Sequence, residues 1–126
     1  MDTGKLINNN AFYEGYEGEP EIVLTIQEVP AYSIHLWEGY FDDIFEPPII
    51  DGKGWTGFTR DIQQMEGVFS SSGTSAHINA SEYLDDLMSY DGKVFEYVES
   101  SDAFALIADF LRYAINNGYS VIVERD

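Results

Sequence analysis

The chain has no cysteine. That absence excludes a disulfide framework, a thiolate nucleophile and a thiolate zinc site, and it fits a cytoplasmic protein. Bases are scarce: 6 Lys+Arg stand against 23 Asp+Glu in 126 residues, a formal charge of −17. Gripping nucleic acid or an anionic membrane requires cations that displace counterions, so direct binding to either is not expected. The two histidines, His35 and His77, have no second His or Cys at metal spacing. No apolar run approaches the roughly 20 residues of a bilayer span. Met1-Asp2-Thr3-Gly4-Lys5 lacks the basic and apolar regions of a signal peptide. The expectation is a soluble, unexported protein without metal or cofactor.

Catalytic signatures are equally thin. No P-loop is present. Asp51-Gly52-Lys53-Gly54 places a lysine where a calcium loop needs a ligand. Ser70-Ser71-Ser72-Gly73-Thr74-Ser75, near His77, lacks the strand-to-helix elbow that exposes a nucleophilic serine, and reads as a polar loop. Carboxylate pairs are too frequent among 23 acids to point to glycoside hydrolysis. The expectation is that the protein is not an enzyme.

What the chain does have is apolar and aromatic mass: 44% of residues are hydrophobic, with 2 Trp, 9 Tyr and 8 Phe. That is too much for a disordered acidic tail and enough for one packed domain over 1–126. Residues 1–20, with Asn8-Asn9-Asn10 and a doubled Tyr-Glu-Gly, read as a loop or loose edge. Glu21–Gln27 and Ala31–Tyr40 read as antiparallel strands, with Ile34 and Leu36 on one face and His35 and Trp37 on the other. Pro47-Pro48 makes Phe41–Asp51 a surface excursion in which neither a helix nor a central strand is expected.

The spacing of Trp55, Phe58, Ile62, Met65 and Phe69 suggests at most one short helical turn, because Gly54, Gly57 and Gly67 interrupt it. Asn79 with Glu82 three residues later marks a helix start, and Tyr83, Leu84, Leu87 and Met88 form its buried stripe. Glu82, Asp85, Asp86 and Ser89 are expected to face water. Lys93–Val98 alternates like a strand. A helix follows from Ser101 or Asp102 to about Asn116, stopped by Asn117-Gly118, and Tyr119–Val123 closes as a strand. The class is α+β: a mostly antiparallel sheet, two main helices packed on one face, and a C-terminal strand-helix-strand unit.

The charge is unevenly spread. Between Lys5 and Lys53 there is no base, yet Glu14, Glu17, Glu19, Glu21, Glu28, Glu38, Asp42, Asp43, Glu46 and Asp51 all fall there. Within that stretch Trp37-Glu38-Gly39-Tyr40-Phe41-Asp42-Asp43-Ile44-Phe45-Glu46 interleaves aromatics with acids, the composition of a contact patch for a basic partner. Trp37, Tyr40, Asp42, Asp43 and Glu46 are the main candidate contacts, with Glu82, Asp85 and Asp86 as an extension. Trp37 and Phe41 fit a core cap as well as an interface.

In size, charge, architecture and this patch, the chain resembles the immunity proteins of bacterial polymorphic and contact-dependent toxin systems. The resemblance implies a basic partner, a cognate toxin such as a nuclease, blocked by carboxylates standing in for phosphates. The same features also fit a phage-type nucleic-acid mimic, a small hydrolase, or a housekeeping domain with a solvated acidic surface.

Overall fold

A computed structural model describes residues 3–49, 54–71 and 73–126. Five strands form one sheet in the order β1-β3-β2-β5-β4. They are β1 (Asn9–Phe12), β2 (Glu21–Ile26), β3 (Ser33–Trp37), β4 (Thr74–Ile78) and β5 (Val121–Arg125). β1 joins β3 in parallel, and the other pairings are antiparallel. The helices are α1 (Glu38–Phe45), α2 (Gly57–Gln64), α3 (Ala80–Met88) and α4 (Ser100–Asn117). This is the α+β class, ending on a helix followed by a strand.

Strand alternation builds the core. Ile22, Leu24 and Ile26 of β2, Ile34 and Leu36 of β3, and Val121 and Val123 of β5 are buried on one face. Val23, His35 and Glu124 are cross-strand neighbours on the other, as a period of two requires. α4 lies against the buried face with Ala103, Ile107, Phe110, Leu111 and Ala114 inward. Gly118, at φ 68°, ends α4 in the left-handed conformation that glycine adopts without a Cβ penalty.

Several local expectations are corrected. The first twenty residues, read as loop or loose edge, carry the edge strand Asn9–Phe12. Phe41 to Phe45 is helical, and Phe41 is fully buried core. The proline pair ends α1 rather than forbidding it: Glu46, the residue before Pro47, is extended at φ −125° and ψ 131°. Residues 50 and 51 of the excursion, 51–53 of the calcium-loop candidate, and Ser72 of the serine run lie outside the described residues.

α2 makes two full turns, with Phe58 and Ile62 inward, whereas Met65 is exposed. Thr74 and Ser75, read as the end of a polar loop, open edge strand β4, held by its ladder with β5. Lys93–Val98 is not a strand, so the expected strand-helix-strand unit lacks its first strand. None of the helices formed by the described residues is long and apolar enough to cross a membrane.

Candidate functional site

α1 follows β3 without a loop, and Trp37 is both the last strand residue and the helix N-cap. Its indole stacks on Tyr16 at 4.2 Å between ring centroids and meets Tyr97 edge-on at 5.4 Å. Beside it is a recess of about 340 Å³, lined by Trp37, Gly39, Asp42, Asp43, Glu46, Glu96 and Tyr97. The structure thus brings Trp37, Asp42, Asp43 and Glu46 of the sequence-derived patch together. It separates Tyr40, which is buried behind them and packs edge-on against Trp37 at 5.3 Å.

The three recess carboxylates from α1 and its C-cap, Asp42, Asp43 and Glu46, play different parts. Asp43 is consumed internally. Its carboxylate accepts the backbone N–H of Glu96 and of Tyr97 at 2.9 Å each, and the Ser100 hydroxyl at 2.6 Å. Burial works to raise its pKa, but the Ser100, Tyr97 and Glu96 hydrogen bonds outweigh it, and the carboxyl is held below the usual range.

Asp42 and Glu46 are exposed and ion-pair with no described residue. Desolvation in the recess wall, followed by the charges of Glu46 and Glu38, pushes the Asp42 carboxyl up to about 6, against the pull of Arg125. Such a site gains from an incoming cation through carboxylates that have no cation of their own.

No described lysine or arginine ion-pairs with its carboxylates, although Arg125 and Lys93 act on them through space. Lys5 and Arg112 pair with Asp109, Arg60 pairs with Asp61 and Glu82, and Arg125 pairs with Glu38. Lys93 donates to the Asp43, Ile44 and Glu46 carbonyls at 2.9 Å each, which caps the C-terminal end of α1.

The acids of α3 divide differently from expectation. Asp85 is exposed, but Asp86 is buried and binds α2: the Thr59 N–H and hydroxyl donate to it at 2.9 Å, and that hydroxyl lies 2.8 Å from the Tyr90 hydroxyl. α3 turns this carboxylate inward because α2 presents a donor pair there. Burial raises the pKa of Asp86, with the Thr59 bonds opposing. Glu82 is half-buried, pairing with Arg60 at 2.9 Å and accepting the Gly57 N–H at 3.3 Å. Asp86 therefore belongs to the helix-helix contact rather than to a binding face.

Beside it, the Tyr83 hydroxyl donates to Asp61 at 2.5 Å. Among the described residues, no buried side-chain nitrogen or oxygen lacks a hydrogen-bond partner. His77 bonds Gln27 at 3.1 Å, while Ser70 donates to the Gly67 carbonyl, so these groups are turned to other partners. No group of three or more His, Asp or Glu among the described residues could hold a metal ion.

Sequence reasoning missed Glu96 and Tyr97. The signal was present, since Phe95-Glu96-Tyr97 repeats the aromatic-acid composition of the patch. Comparison of the chain with family models, with curated proteins and with solved structures finds no match in any of the three.

Proposed function

We propose that this is a non-enzymatic acidic binding protein that captures and neutralises a basic protein, as an immunity protein occludes its cognate bacterial toxin. The observation that carries the reading is the recess. Asp42, Glu46 and Glu96 line it beside Trp37 and Tyr97, and none of the three carboxylates pairs with a described cation.

In this mechanism the field of a −17 body speeds encounter with a cationic surface. A lysine or arginine of the partner enters the recess, where carboxylates take the place of substrate phosphates. The rest of the acidic N-terminal half then covers the partner's cationic groups and excludes its substrate.

The test is a pull-down from source lysate at low and high salt. The basic protein recovered is then titrated with the purified chain while its activity is followed. Stoichiometric, salt-sensitive inhibition is the expected result. Recovery of only neutral or acidic partners, or binding indifferent to salt, overturns the reading.

A further inference from the structure

The run Lys93–Val98 has strand composition but no strand neighbour among the described residues, and its apolar side chains other than Phe95 face outward. Val94 is 91% exposed and Val98 is 88% exposed, with Tyr97 at 40% between them. Single exposed apolar residues are ordinary on protein surfaces. Here two valines four residues apart flank Glu96 and Tyr97, which line the acidic recess.

The strip is not a loose loop. Asp43 holds the Glu96 and Tyr97 N–H groups, Lys93 is anchored on three carbonyls of α1, and Phe95 packs against Phe104 at 6.0 Å. On its far side Lys93 and Phe95 line a second cavity of about 430 Å³, floored by Phe104 and Ala108. Val94 and Val98 are thus displayed on a fixed backbone, which lowers the ordering cost of any contact they make.

We propose that Val94–Val98 is the apolar half of the binding surface, and that its occupant is a segment of a basic protein carrying aliphatic side chains beside its lysines or arginines. The inference rests on the binding reading above and specifies the partner. Charge complementarity selects this occupant: the adjoining recess is acidic, and nucleic acid, an anionic bilayer and a second copy of this chain are all repelled by the net charge. A basic side chain seated between Trp37 and Asp42 leaves its aliphatic neighbours over the valines, where burial contributes about tenfold in affinity per side chain.

The test uses two labelled synthetic peptides of equal length and charge, one alternating lysine with leucine, the other lysine with serine. Fluorescence anisotropy measures their binding to the full chain, to Val94→Ser/Val98→Ser and to Asp42→Asn/Glu46→Gln. The leucine peptide is expected to bind at least about tenfold tighter than the serine peptide. The valine variant should lose that advantage while keeping its melting temperature and its affinity for the serine peptide. Equal affinities, or an advantage that survives in the valine variant, overturn the inference. Dimerisation of the chain that disappears in the valine variant also overturns it, in favour of a second copy. Failure of the binding reading looks different: neither peptide binds in a salt-dependent way, or the Asp42/Glu46 variant binds both as well as the parent chain does.

Discussion

The Trp37 indole occupies the space in which a β-carbon on Gly39 would stand. Gly39 is inside α1, where glycine ordinarily costs about 1 kcal/mol relative to alanine. Gly39→Ala is therefore expected to reverse the usual sign. The ring must leave its stack on Tyr16 and its edge contact with Tyr97, at a cost of about 1–3 kcal/mol typical of overpacking. Thermal unfolding and tryptophan emission in a Trp55→Phe background check it; a raised melting temperature with unchanged emission contradicts the contact.

Asp42 and Asp43 are neighbours with opposite assignments. Asp43→Ala removes the acceptor for two N–H groups and one hydroxyl, and a loss of about 2 kcal/mol of stability is expected. Glu46→Lys should stay within about 0.5 kcal/mol in stability, while Asp42→Lys, which removes a carboxylate crowded by Glu46 and Glu38, should not lower stability at pH 7. Both should weaken partner binding by about 2–5 kcal/mol. Chemical denaturation and partner calorimetry on the same variants separate the two effects.

On α3 the adjacent pair Asp85 and Asp86 gives a sharper contrast. Asp86→Lys places a cation where Thr59 presents donors and is expected to cost about 3–5 kcal/mol or prevent folding. Asp85→Lys, on an exposed position, should change stability by less than about 0.5 kcal/mol. Denaturation midpoints of the two single variants decide it, and equal effects would remove Asp86 from the α2–α3 contact.

The raised Asp42 carboxyl gives a pH dependence. Its folded pKa, near 6, stands above the unfolded value of about 3.9, so the folded state holds the proton more tightly and this group's contribution to stability falls as pH rises between the two. A cation in the recess favours the ionised form, so affinity for a lysine-rich peptide should rise through pH 6. Asp42→Asn should flatten that rise and raise the melting temperature at pH 7.5 but not at pH 4. Calorimetric titration and thermal melts across pH 4–8 provide both readouts. Glu38, Glu46 and Arg125 act on the same carboxyl, and Asp43 and Glu96 share its recess.

Much of this architecture is written in short-range pattern. β2 and β3 show clean alternation, α3 has its Asn79 cap accepting the Glu82 N–H at 3.1 Å, and α4 has its stripe and its Gly118 stop. What escaped depended on partners distant in sequence. β4 opens on Thr74 and Ser75 at the end of the polar run, and is a strand because β5 pairs with it. Lys93–Val98 alternates, but Asp43 takes two of its N–H groups before any neighbouring strand does. Half of the recess was legible in the Trp37–Glu46 composition. The other half needed the fold to carry Glu96 and Tyr97 across from the start of α4, and no local signal shows that Asp43 is spent holding them there.

The position of β5 has a consequence for how the chain is made. β5 lies inside the sheet between β2 and β4, and is the only sheet neighbour of β4, although it is translated after every other element. Until Val121–Arg125 leaves the ribosome, β2 and β4 both keep an unpaired edge and α4 has no complete sheet to lie on. Compaction before that strand emerges is therefore limited to partial contacts, and the sheet closes only with it. A chain cut just before Val121 would lack the β2–β5 and β4–β5 ladders and be exposed to proteolysis and to edge-to-edge association.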